Sequence, residues 1–135
     1  MSADKTTENI KTAAEQAEEM EILAKAEPDD GSYTHTFKTP FFYQGSTFEK
    51  LTFDWDSLTG DDYIAIENEL LRRGKTLVTP EFSSEFLLGM AVRACTQRSE
   101  DGFRVLNADT MKAMPLREFR TICGRARAFL LRVGL

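Results

Sequence analysis

Aromatic side chains bury more area than any others, roughly 150–250 Å² each, and this chain spreads them very unevenly. None of its 14 aromatic residues precedes Tyr33, and nine fall between Tyr33 and Tyr63. Residues 1–30 therefore have little to contribute to a core, and the stretch that starts at Tyr33 must seed it. Pro28-Asp29-Asp30-Gly31 punctuates the boundary. The chain reads as an acidic arm over 1–31 and a single domain over 32–135. A domain of about 100 residues buries somewhat over 60% of its unfolded surface, enough for one modest core.

Charge follows the same division. The net charge of −5 contains a gradient: residues 1–30 hold 3 basic and 9 acidic side chains, residues 31–80 hold 5 and 7, and residues 81–135 hold 9 and 6. Residues 5–27 are rich in Ala, Glu, Lys, Gln and Met, good helix formers. Their apolar stripe, Ile10, Ala13, Ala17, Met20 and Leu23, is narrow, and an isolated helix of this kind is marginal in water. The arm is expected to be marginally helical or disordered and dispensable for folding; the competing reading is an arm that folds on a partner or shields a basic surface. No stretch approaches the roughly 18–20 apolar residues of a membrane span, and the acidic, polar start is not a signal peptide. Cys95 and Cys123 form neither a disulfide framework nor a metal motif, and read as buried thiols in a reducing compartment.

From Ser32 the hydrophobic period becomes two. Tyr33, His35 and Phe37 alternate with polar residues, Thr39-Pro40 interrupts, and Phe41-Phe42-Tyr43 resumes before Gln44-Gly45, a tight-turn signal. The return strand runs to Asp54. Its step from Phe48 to Leu51 is odd, so a perfect ladder would turn some of these side chains to the wrong face. A one-residue bulge near Glu49-Lys50 would repair the parity, setting Phe41 against Phe48, Phe37 against Phe53 and His35 beside Trp55. His35 reads as a structural strand residue.

Helices are expected at about 60–73, 83–97 and 115–132. The first is signalled by Thr59 as cap, Asp61-Asp62 at the positive end of the dipole and Gly74 as stop. Its face is Tyr63, Ile66 and Leu70, widened by Ile64 and Leu71. Ser83 caps the second, whose Phe86, Leu87, Met90, Ala91, Ala94 and Cys95 face inward. A short turn over Asn107–Ala113 leads to Pro115 and the last helix, lined from Leu116 to Val133 on one face and carrying Arg117, Arg120, Arg125, Arg127 and Arg132 on the rest. A hairpin followed by about three helices is an α+β layout.

Little here resembles active-site chemistry. Gly74-Lys75-Thr76 matches the tail of a phosphate-binding loop but follows a helix pattern, not a strand. Asp54, Asp56, Asp61 and Asp62 imitate a calcium loop, but Leu58 stands where an oxygen ligand belongs. No nucleophile sits beside a histidine base. The expectation is a protein with no catalytic residues, cofactor or metal. The arginine-rich helix raises a protein-partner surface or nucleic acid, and a pI near 5.0 counts against nucleic acid. Met111, Met114, Arg120, Arg127, Phe129 and Leu131 are the candidate partner-binding residues, apolar anchors among arginines.

The order of segments adds a resemblance. Tyr33-Thr-His-Thr-Phe-Lys-Thr-Pro-Phe, Leu51-Thr-Phe-Asp-Trp and Leu58-Thr-Gly-Asp-Asp lead to Ile66-Glu67. Pro80-Glu-Phe-Ser-Ser-Glu-Phe-Leu, Met90-Ala-Val-Arg-Ala-Cys and Ala126-Arg-Ala-Phe-Leu-Leu follow. Over about residues 32–132 this resembles the bacteriophage tail assembly chaperones, small proteins encoded just ahead of the tape measure protein. The resemblance implies binding of that long, aggregation-prone protein in the host cytoplasm, assistance to tail tube polymerisation and absence from the finished virion. It also implies, for many members, a frameshifted longer product, through which a contact with the tail tube protein would run. Self-association is open. The alternatives are a small structural tail or baseplate protein retained in the virion, or a nucleic-acid-binding regulator.

Overall fold

The computed structural model describes residues 12–16, 18 and 31–134. The expectations for the arm therefore lie almost wholly outside the described residues. Within the arm, Thr12 Oγ1 accepts from the Glu15 amide at 3.1 Å and so caps a helical turn, and residues 13–16 and 18 are helical and exposed.

Two antiparallel strands, β1 (Ser32–Tyr43) and β2 (Ser46–Asp54), form the sheet. Gln44 and Gly45 join them with φ of +47° and +79°. Positive φ at both central positions is the turn whose twist matches the strands it joins. The register pairs Ser32 with Asp54 through Thr36 with Lys50, then Phe41 with Phe48 through Tyr43 with Ser46.

The Phe41–Phe48 pair is the expected one, but the irregularity sits on the other strand. Residues 37–40 of β1 stand opposite Glu49 alone, so β1 carries the excess and β2 carries none. Tyr33, not Phe37, opposes Phe53, and His35 opposes Leu51 instead of lying beside Trp55. Pro40 explains the choice. It has no amide to donate, so the excess collects where the ladder has already lost a bond. An odd number of extra residues on either strand restores parity, which is why sequence alone could not choose between them.

Four α-helices follow: α1 (Gly60–Arg72), α2 (Ser84–Ala94), α3 (Ala108–Ala113) and α4 (Leu116–Val133). The fold is α+β. Thr59 Oγ1 accepts from the Asp62 amide at 3.3 Å while Asp62 Oδ2 accepts from the Thr59 amide at 2.8 Å, a reciprocal cap. Gly74, at φ +74°, ends the helix. Ser83 Oγ and Asn107 Oδ1 cap α2 and α3 by accepting from the Phe86 and Thr110 amides at 3.2 and 2.9 Å. The expected turn before Pro115 is thus a helix of its own.

Helix α2 is the hub, packing on α1, α3, α4 and β2. Phe86, Leu87, Leu88, Met90, Ala91 and Ala94 are all buried. It stops at Ala94, short of the expected 97, because the next residues take over the outer edge of β2. Cys95 bridges Phe53, the Thr96 amide donates to the Thr52 carbonyl at 2.9 Å, and Gln97 Oε1 accepts from the Thr52 amide at 3.1 Å. Those sheet-edge bonds would otherwise face water or another chain. The core joins Phe53 and Trp55, stacked at 5.2 Å, to Phe86, Leu106, Met111 and Ile122. Five expected core residues are exposed instead: Tyr63, Ile64 and Leu71 on α1, and Leu116 and Val133 at the two ends of α4.

Candidate partner-binding surface

Helices α1 and α2 meet at Gly89, the one α2 position with no side chain. A methyl there would come within 2.8 Å of Ile66 Cγ2. Around that contact the two helices line an open groove of about 860 Å³. Ile66, Leu70, Leu88 and Val92 contribute its apolar floor, and Leu71, 56% exposed, stands on the lip.

Ion pairs lace the rim. Arg73 reaches Glu85 at 2.6 Å and Lys75 reaches the same carboxylate at 3.6 Å, while Arg93 holds Asp62 at 2.7 Å and Arg72 holds Glu69 at 2.7 Å. The Thr59 amide, then Arg93, hold the Asp62 carboxyl below its ordinary pKa. Such half-exposed pairs each contribute about 1 kcal/mol or less. Their effect is to fix the helix ends around the groove.

The six residues singled out from the sequence do not form one patch. Met111 and Met114 are 0% and 6% exposed and belong to the core, so the apolar area expected of them is spent on packing. Arg127 is half-buried. Its Nε donates to the Glu81 carbonyl at 2.6 Å and its guanidinium lies over the Phe82 ring, so it ties α4 to the 80–82 turn. Burial lowers its pKa from the ordinary value. Phe129 is partly buried against Trp55 and walls a smaller pocket of about 240 Å³ with Leu58, Tyr63 and Leu130. Leu131 is half-buried, and Arg120 is exposed.

Sequence reasoning missed Glu118. It points inward from α4 at 6% exposure and stands against His35 of β1. His35 Nδ1 lies 2.8 Å from the Tyr33 hydroxyl, and Nε2 lies 3.2 Å from Glu118 Oε1. The second contact is off the line a hydrogen bond needs, and Nε2 is an unsatisfied buried atom among the described residues. The tautomer with its proton on Nε2 turns that N–H toward the carboxylate and leaves Nδ1 to accept from Tyr33. Burial pushes the His35 pKa below its ordinary value, against the pull of Glu118. Glu118 Oε2 also accepts from the Lys38 amide at 3.4 Å, inside the bulge. The trio pins the irregular stretch of β1 to α4. No local signal in the sequence marks it, since 83 positions separate His35 from Glu118.

Burial raises the thiol pKa of Cys95 and pushes that of Cys123 up to about 11, so both stay protonated near neutrality. Among the described residues, no cluster of three His, Cys, Asp or Glu is arranged to hold a metal, and no helix is long and apolar enough to cross a membrane. The residues define an α+β domain that presents an open apolar groove and an arginine-bearing helix. No protein-family model, curated protein or solved structure matches the chain.

Proposed function

We propose that this chain is a bacteriophage tail assembly chaperone that acts by binding and not by catalysis. The ordered resemblance of residues 32–132 carries the reading. In it, the protein keeps the tape measure protein soluble in the host cytoplasm, promotes tube assembly around it and leaves before the tail is complete. A frameshifted longer product would extend the contact to the tail tube protein.

The fold supports this reading in one respect. The α1–α2 groove offers apolar floor area between charged lips, a shape that accepts the apolar face of a helix from a long helical client. Co-expression with the tape-measure protein encoded alongside is the direct test. The client is expected in the soluble fraction and in pull-downs only when this chain is present. Leu71→Asp, on the exposed lip, is expected to weaken capture by about tenfold without unfolding the domain. If the client is equally soluble alone, the chaperone reading fails. If mass spectrometry finds this chain in purified particles at tube-like copy number, a structural tail protein replaces it.

A further inference from the structure

The rim of the α1–α2 groove carries more positive charge than its ion pairs use. Of the charged residues that line it, Arg72, Arg73, Arg93 and Arg104 stand against Glu69 and Glu85. Asp62 joins Arg93 and Lys75 joins Glu85 from just outside, which leaves the excess unchanged. That excess lies at both ends. At one, Arg73 and Lys75 share the single carboxylate of Glu85. At the other, Arg104 is exposed, makes no ion pair among the described residues and bridges Arg98, just past the end of α2.

We propose that this groove selects an amphipathic helix whose apolar stripe is bracketed by carboxylates about three turns apart. The proposal names the chemistry of the client site described above and rests on that reading of the groove. A helix, not an extended segment, is the occupant because both walls are helices. Their backbone N–H and C=O groups are paired internally, so an extended chain would find no ladder to join and would bury its own unpaired. Ile66 with Leu70, and Leu88 with Val92, offer one turn of apolar floor on each wall. Such a floor takes anchors at i, i+4 and i+7 of the incoming helix.

The spacing follows from α1. Asp62 marks the Arg93 end of the groove and Arg73 the Glu85 end. Their positions in the chain set them about 16 Å apart along the helix axis. On the incoming helix the same rise is about eleven residues, or three turns, which returns a side chain to the same face. Carboxylates at those two places meet Arg104 at one end and Arg73 with Lys75 at the other, beyond the apolar contact. Charge at an exposed rim sets which helix is captured, while the floor supplies the affinity.

Two synthetic alanine-based helical peptides, each of about 18 residues, test this by fluorescence anisotropy with the full chain. Both carry leucine anchors at i, i+4 and i+7; one is flanked by glutamates about three turns apart and the other by lysines. The glutamate peptide is expected to bind about tenfold more tightly at low salt, and high salt should shrink the difference. Arg73→Glu with Arg104→Glu, both at exposed positions, should reverse the order of the two peptides. Leu71→Asp should weaken both alike, as the groove lip requires. Equal binding of the two peptides to the unaltered chain at low salt overturns the inference, as does binding by neither. A preference that survives charge reversal, or binding that ignores Leu71→Asp, overturns it too. Displacement of the glutamate peptide by an equal concentration of short single-stranded DNA assigns the rim to nucleic acid and has the same consequence. The chaperone reading fails separately. A tape-measure protein that is soluble alone removes that reading and leaves the peptide preference standing. Equal peptide binding with intact client capture removes the acid-flanked helix and leaves the chaperone.

Discussion

Gly89→Ala is expected to destabilise the protein, although an alanine in mid-helix normally does the opposite. In an unconstrained helix interior the change would contribute about 0.8–1 kcal/mol of stability. Here the new methyl meets Ile66 Cγ2 at 2.8 Å and Cγ1 at 3.3 Å. Ile66 is 6% exposed in the middle of α1, and a β-branched side chain in a helix has essentially one χ1 rotamer. It cannot swing aside, so α1 must move off α2. Overpacking of this kind costs about 1–3 kcal/mol, which leaves a net loss of up to about 2 kcal/mol once propensity is subtracted. Ile66→Ala alone should cost about 2–5 kcal/mol. In that background the clash is gone, and Gly89→Ala should become stabilising by about 1 kcal/mol. Urea unfolding of the four chains gives the coupling energy directly, expected at about 1–3 kcal/mol in favour of the double variant. If Gly89→Ala stabilises the otherwise unaltered chain, the close approach of α1 and α2 at this point is wrong.

Three further outcomes are expected. With its pKa lowered in the folded state, His35 binds fewer protons folded than unfolded; its contribution is complete above the ordinary value of 6.5 and is lost as pH falls through that value toward the folded pKa. His35→Gln should remove that part of the pH dependence of urea midpoints, and an unchanged slope between His35→Gln and the parent would refute the assignment. Gln44→Asn, exposed and at φ +47°, should raise stability by about 0.5 kcal/mol, because asparagine tolerates the left-handed region that the turn demands; a loss of stability would argue against that turn geometry. Cys95 and Cys123 should react with a disulfide reagent only at the rate of unfolding, so rapid modification of either in native buffer would contradict their burial.

The elements were written locally, and could be read locally. Thr59 with Asp62, Ser83 and Asn107 cap the chain three residues ahead of them, Gly45 and Gly74 serve their own turns, and the aromatic run from Tyr33 seeds the sheet wherever the helices lie. Interactions within four residues of one another need no knowledge of the fold. The rest depended on partners far along the chain. Whether the sheet's irregularity fell on β1 or β2 rested on Pro40 and on Glu118, eighty positions from the Lys38 amide it accepts. Ile64 and Leu116 share an apolar period with buried neighbours yet face water, because periodicity gives the direction of a face and not how much of it another element covers. Met111 and Met114, adaptable apolar residues by composition, went into the core because α3 packs on α2. The groove is lined jointly by α1 and α2, which approach closely where Gly89 meets Ile66. A surface is what packing leaves over, and only the tertiary structure carries out that subtraction.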